Sequence, residues 1–236
     1  MVKKIEALYI SDVHLGSRGC KAKELLAMLK EYDPEKVYII GDFIDGWLLK
    51  RRHYWPQDHT NVVRKILSYA KRGSQIYYIS GNHDDFLRSY GPLDFGNIKT
   101  LDEMVIGNTW LVHGDRYDGI VMYNKWVAVL GSFGYEVVIF FSEIVKSIRK
   151  RLGLRPRSLS KWIKAKVKGA AIFLDSFEKT LTVEAKTRGC DIVICGDIHT
   201  PCDRKVNGIR YINTGDWIES CSYLTQENGK LILHSL

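Results

Sequence analysis

The sequence predicts an α/β fold with largely parallel central strands. Short apolar runs rich in β-branched residues recur along the chain, and each ends abruptly in polar residues. Stretches of helical periodicity lie between the early runs, which is the alternation expected of βαβ units.

In order, Glu6–Ile10 runs into Ser11-Asp12, and Lys21–Tyr32 then carries a helical pattern. Lys36–Ile40 runs into Gly41-Asp42, followed by a second helical pattern over Asp58–Lys71. Gln75–Ile79 leads into Ser80-Gly81-Asn82, and Trp110–Val112 into His113. Asp191–Cys195 leads into Gly196-Asp197, and Ile209–Ile212 into Asn213-Thr214-Gly215. Asn228-Gly229, between two short apolar runs, reads as a hairpin turn. There is no internal repeat and no low-complexity linker.

Ile120–Arg188 differs, with long helical periodicity and no clear strand signal. Leu159, Trp162, Ile163 and Val167 fall near one helical face, and Lys161, Lys164 and Lys168 on another. Ala170, Phe173, Leu174, Phe177 and Leu181 form the stripe of a further helix that Gly189 can cap. The segment reads as a helical insertion on the α/β body.

The 236 residues are 45% hydrophobic and 26% charged, which fits one globular domain and excludes a disordered, collagen-like or disulfide-stapled chain. No apolar window is long enough for a spanning helix, and the N-terminus lacks the apolar core of an export signal. Five unpaired-looking cysteines fit reduced thiols in a cytosol. The net charge of +8 is concentrated: Glu143–Lys168 carries +9 and the remainder −1. Such a segment suits an anionic partner, whether nucleic acid, membrane surface or phosphorylated substrate; a solvated helical face is the plainer reading.

In open α/β sheets, ligands bind beyond the carboxyl ends of the strands. Five run ends here offer metal-capable residues: Asp12-Val13-His14, Gly41-Asp42, Gly81-Asn82-His83-Asp84, His113-Gly114-Asp115 and Gly196-Asp197-Ile198-His199. Four of the seven histidines lie in these motifs. Imidazole and carboxylate without thiolate suit Mn, Fe, Zn or Mg rather than a structural cysteine zinc site. Two ions about 3.5–4 Å apart can share a bridging carboxylate, activate water and polarise phosphoryl oxygens.

These five motifs resemble, in order, those of the calcineurin-like metallophosphoesterase superfamily: Asp-x-His, Gly-Asp, Gly-Asn-His-Asp, His and Gly-His-x-His. The chain is more similar still to the UDP-2,3-diacylglucosamine hydrolase (diphosphatase) family. GDFIDGW (41–47), GNHDDFLRSYG (81–91), HGDRYDG (113–119), the basic insertion and YINTGDWIESC (211–221) carry that likeness over essentially the whole chain.

The resemblance implies a four-layer αββα sandwich, one domain over 1–236, with a helical cap inserted at 120–188. It implies hydrolysis of the pyrophosphate of UDP-2,3-diacylglucosamine, or a similar lipid-linked nucleotide, to UMP and a lipid 1-phosphate. Two divalent ions are implied, Mn2+ first, with Fe, Zn or Mg as alternatives. Asp12, His14 and His199 would hold the first ion, Asp42 would bridge, and Asn82, His113 and Asp197 would hold the second. Asn82 and His83 would contact the phosphate, with His83 assisting the leaving group and Asp84 orienting its imidazole. Water held between the ions, rather than a side chain, would be the nucleophile.

Two departures stand out. Asp197 occupies the place of the family's usual His, making the site more anionic and harder. His83 replaces the Arg of the best-known diacylglucosamine hydrolases, which is the general phosphoesterase form. Other readings are therefore a phosphodiesterase on another nucleotide or phospholipid, a nuclease using the basic segment, or a scaffold with an impaired site.

Asp45 and Asp115 read as residues bonding to local backbone or orienting a neighbour. His53, His59 and His234 read as surface or packing residues, and Cys195 and Cys202 as inert thiols. Lys50-Arg51-Arg52 reads as a solvated run or a phosphate attractor. Leu152, Leu154 and Trp162 interleave with the insertion's charges, as in an element resting on an anionic bilayer. In the resembled family such an insertion caps the metal site and holds acyl chains. Lys164 and Lys168 become candidate substrate contacts, and the expected location is cytoplasmic and peripheral on the inner membrane. The plainer reading packs the apolar face on the α/β body. Oligomeric state is left open.

Overall fold

The computed structural model describes residues 2–117 and 174–236. In chain order its elements are β1 (Lys3–Ile10), α1 (Ala22–Glu31), β2 (Tyr32–Ile40), α2 (Gly46–Arg51), α3 (Gln57–Lys71) and β3 (Gln75–Ile79). Then come β4 (Asp94–Phe95), β5 (Ile98–Leu101), β6 (Glu103–Ile106), β7 (Thr109–Val112) and α4 (residues 174–187). The chain closes with β8 (Ile192–Cys195), β9 (Cys202–Val206), β10 (Ile209–Asn213), β11 (Ser222–Glu227) and β12 (Lys230–Ser235).

Among the described residues these strands form two mixed sheets, ordered β12-β11-β1-β2-β3-β5-β4 and β6-β7-β8-β10-β9. Both centres are parallel: β1, β2, β3 and β5 in the first, β7, β8 and β10 in the second. The expected parallel core is thus present, divided between two sheets.

Alternation along the strands explains the layers. Leu8, Ile10, Val37 and Ile39 join Leu25, Met28 and Leu29 of α1 and Val62, Ile66 and Tyr69 of α3 in one core. Ala7, Tyr9, Tyr38, Ile40 and Ile79 meet Leu111, Ile194 and Ile212 of the second sheet in another. The far face of the second sheet carries Trp110, with the Arg188 guanidinium 4.3 Å above its ring. Thr182 of α4 bonds Asn207 in the β9–β10 turn, and Leu181 and Ala185 are buried. The architecture is therefore αββα.

Local chemistry sets the ends. Glu24 in the first turn and Lys30 in the last suit the dipole of α1. Gly189, at φ 70°, follows α4, and Cys190 N–H reaches back to Ala185 O as in a Schellman cap. Asn228 and Gly229 both have positive φ and join β11 to β12 as a two-residue hairpin.

The chain divides into one unit of Met1–Asp115 with Lys179–Leu236 and a second of Arg116–Glu178. Most of the expected insertion, including Lys164 and Lys168, lies outside the described residues.

Candidate metal centre

The candidate residues sit on the turns that leave β1, β2, β3, β7 and β8. Asp12, His14, Asp42, Asp197 and His199 all adopt positive φ, between 49° and 67°. That backbone is costly for residues with a Cβ and clusters at functional sites. Two glycines in these turns are forced by crowding: a Cβ on Gly81 would stand 2.6 Å from Asp42 N, and one on Gly196 would overlap the Asp12 carboxylate.

The turns converge. His199 Nε2 lies 3.1 Å from Asp12 Oδ1 and 3.4 Å from His14 Nε2. His14 Nε2 is 3.7 Å from Asp42 Oδ2. His113 Nε2 is 3.5 Å from Asp42 Oδ1 and 3.6 Å from Asp197 Oδ1. Asp12, His14 and His199 form one set able to hold a cation, and Asp12, Asp42 and His113 another. Asp42 therefore stands between the His14 side and the His113 side.

The polar atoms themselves argue for a cation. Asp12 Oδ1, Asp42 Oδ2, Asn82 Oδ1 and His113 Nε2 are buried with no hydrogen-bond partner among the described residues. Buried polar atoms are almost always satisfied, and the ligand atoms of Asp12, Asp42 and His113 lie within 4.8 Å of one another, so these orphans mark a site for a ligand. Two carboxylate oxygens, an amide oxygen and an imidazole nitrogen suit a divalent ion of borderline to hard character.

Supporting bonds fix each ring. His113 Nδ1 meets Ile40 O at 2.9 Å, which fixes the ring with Nε2 toward the site. His199 Nδ1 lies 2.9 Å from Asp216 Oδ2. Asp12 Oδ2 accepts Asp197 N–H at 3.0 Å, and Asp42 Oδ1 accepts His83 N–H at 2.8 Å.

The field is consistent. Burial pushes the Asp42 carboxyl up, but His113, His14 and His83 outweigh it and hold it well below the usual range. Burial also opposes the Asp12 charge, and His199 and His113 reverse it. At His113 burial disfavours the charged ring, yet Asp42, Asp12 and Asp197 raise it well above an ordinary imidazole. The acidic surroundings that act on His113 are those that attract a divalent ion.

Asp84 is not found where the sequence reading put it. Its Oδ2 accepts Phe43 N–H at 2.9 Å and Tyr78 O–H at 2.6 Å, and its Oδ1 accepts Gly81 N–H at 2.5 Å. With both oxygens engaged, it shapes the turns rather than the His83 ring. The carboxylate beside that ring is Asp45, with Oδ1 3.1 Å from His83 Nδ1 and Oδ2 3.4 Å from His14 Nδ1. Asp45 Oδ1 also caps α2 by accepting Leu48 N–H at 2.9 Å. Trp47 lies against the other side of the His83 ring, 4.3 Å between centroids.

Asp216 was not singled out by sequence reasoning, although its signal was present: like Asp42 and Asp197, it follows a glycine at the end of a strand run. Asp115 pairs with Arg88. His59 is buried, and its Nδ1 accepts Gly16 N–H at 3.0 Å, a packing role. Cys195 is fully buried, which pushes its thiol up and keeps it unreactive. Lys50, Arg51 and Arg52 are exposed.

A family model described as calcineurin-like phosphoesterase matches residues 6–201. The UDP-2,3-diacylglucosamine hydrolase of Porphyromonas gingivalis is 25% identical over 97% of this chain and 96% of its own. The enzyme of that name from Marinobacter nauticus is 27% identical over 92% and 91%. That from Shewanella halifaxensis is 23% identical over 98% of both chains.

Proposed function

The chain belongs to the calcineurin-like phosphoesterase family and is a metal-dependent hydrolase of phosphoester bonds; on that premise we propose that it cleaves the pyrophosphate of UDP-2,3-diacylglucosamine or a similar lipid-linked nucleotide. The products are UMP and a lipid 1-phosphate. The observation that carries the catalytic reading is the convergence of orphaned buried atoms from Asp12, Asp42 and His113. The lipid-nucleotide substrate is supported by relatives of that name aligned over nine-tenths of the chain or more.

Asp12, His14 and His199 would hold one ion and Asn82, His113 and Asp197 the other, with Asp42 available to both. Bound divalent ions supply charge that lowers the pKa of water and polarises phosphoryl oxygens. Mn2+ is the first choice, because three carboxylates make a hard donor set. His83 Nε2, near the Asp42 edge, contacts the phosphate and gives a proton to the departing phosphate oxygen. Asp45 Oδ1, 3.1 Å from the opposite ring nitrogen, orients the ring for that transfer. The P–O bond to the leaving phosphate breaks as water's oxygen bonds to phosphorus; the leaving oxygen takes the His83 proton, and the proton that water loses to solvent restores the ring.

The basic segment 143–168, by its charge, suits anionic lipid or substrate phosphates, with Lys164 and Lys168 as candidate contacts. It draws the protein to an anionic membrane surface on the cytoplasmic side. No described helix is long and apolar enough to cross a membrane. A second reading follows from His83: its general phosphoesterase form suits a different nucleotide or phospholipid diester.

The test is UMP release from UDP-2,3-diacylglucosamine in detergent micelles, with Mn2+ and with a chelator. Mn2+-dependent release is expected. Turnover of a generic phosphodiester without UMP release would replace the lipid-nucleotide reading with the second one.

A further inference from the structure

Arg88 lies in the 3-10 turn Asp85–Tyr90 that follows β3, outside the constellation described above. Its guanidinium reaches both sheets. Nη2 donates to Ser80 O at 2.5 Å, at the end of β3 in the first sheet. Nη1 and Nη2 donate to Asp115 Oδ2 and Oδ1 at 2.7 and 3.0 Å, just past β7 in the second. Nε faces Asp102 Oδ1 at 3.6 Å, in the turn between β5 and β6. The Arg88 and Asp115 side chains are only 19% and 13% exposed, so the pair is largely shielded from water.

The placement matters because of what each anchor adjoins. Ser80 directly precedes Gly81-Asn82, and Asp115 lies two residues beyond His113. Asn82 and His113 are candidate ligands of the same ion, yet they stand on different sheets. Their separation is therefore set by how the two sheet ends are held together. His113 contributes through Ile40 O. Arg88 contributes a planar fork with two parallel bonds to one carboxylate, a geometry that lysine cannot reproduce.

We infer that Arg88 is a positioning residue, which through Asp115 and Ser80 O fixes the spacing of Asn82 and His113 and so the affinity of the second ion. The inference rests on the two-ion reading of the site.

The fold supplies a comparison in a second forked arginine, more exposed than Arg88. Arg210 bonds Asp203 through Nε and Nη2 at 3.0 and 2.7 Å and also reaches Leu231 O in the first sheet. It too joins the sheets, but near the start of β10, at the end away from the site.

The test is Mn2+ titration of the metal-free full chain by calorimetry, counting ions and affinities, with thermal melting of each metal-free variant. Wild type is expected to take up two ions. In Arg88→Lys, and in Asp115→Asn, the second ion should bind about 10- to 100-fold more weakly while the first is unchanged. Arg210→Lys should leave both affinities unchanged. Equal binding in Arg88→Lys and wild type would overturn the inference, as would equal weakening in Arg88→Lys and Arg210→Lys. Should Arg88→Lys fail to fold, Asp115→Asn decides by the same criteria. Wild type taking up fewer than two ions would instead overturn the two-ion reading, and the inference with it.

Discussion

Asp216 Oδ2 lies 2.9 Å from His199 Nδ1, and the far side of that ring, Nε2, faces Asp12 Oδ1 at 3.1 Å. The carboxylate is itself held: Asp216 Oδ1 accepts Ser220 N–H and O–H, both at 2.8 Å, and Glu219 N–H at 3.1 Å. Burial pushes the Asp216 carboxyl up, but His199 and the Ser220 bonds outweigh it and keep the carboxyl ionised far below its usual range. The result is a carboxylate–histidine pair that fixes which nitrogen faces the candidate metal site.

Asp216→Asn should therefore weaken the first ion by about 10- to 100-fold with little change in the melting of the metal-free protein. Competition with a chromogenic chelator reads the affinity. Unaltered affinity would reduce Asp216 to a loop-shaping role.

Asp45 and Asp84 should separate under mutation. Asp45→Ala removes the carboxylate shared by His14 and His83, and turnover should fall about 10- to 100-fold. Its cost in stability should be about 1 kcal/mol, the loss of one helix cap. Asp84→Ala strands Tyr78 O–H and two buried N–H groups, so it should cost about 2–4 kcal/mol in denaturant unfolding. The reverse pattern would return the orienting role to Asp84.

Asp197→His should shift the site from Mn2+ toward Zn2+, because imidazole is the softer donor. Paired titrations with the two ions read the ratio of affinities. A ratio the same in both proteins would mean that residue 197 does not contact the ion.

The parallel strands and the ligand motifs were legible in the sequence because each is local: an apolar run, then a polar break. What escaped was set by distant partners. Tyr32 ends the helical pattern in the sequence, yet Tyr32–Pro34 extend β2 by pairing with Lys3–Ile5 of β1. Strand β9, Cys-Asp-Arg-Lys-Val, has no apolar run because it is a sheet edge, although the Asn207-Gly208 turn beside it was a usable signal. Asp84 follows His83 directly and so looked like its partner. The chain instead turns Asp84 into the backbone and brings Asp45 across from β2, an exchange that only the fold reveals.

His59 sets an acid limit on stability. Burial lowers its pKa below the ordinary 6.5, and neutral Nδ1 accepts Gly16 N–H. As pH falls through about 6.5, the unfolded chain takes up this proton first, so the stabilisation present above that pH is lost toward the lower folded-state pKa. His59→Gln, whose amide oxygen can still accept from Gly16, should flatten melting temperature against pH below about 6.5 relative to wild type. Identical pH profiles would exclude His59 as the source.

The central claim is a two-ion centre built on Asp42, and a crystal soaked in Mn2+ tests it most directly through anomalous scattering. The account predicts two peaks about 3.5–4 Å apart, both within bonding distance of Asp42, one beside His14 and His199 and the other beside Asn82, His113 and Asp197. A single peak, or peaks that leave Asp42 uncoordinated, would contradict it.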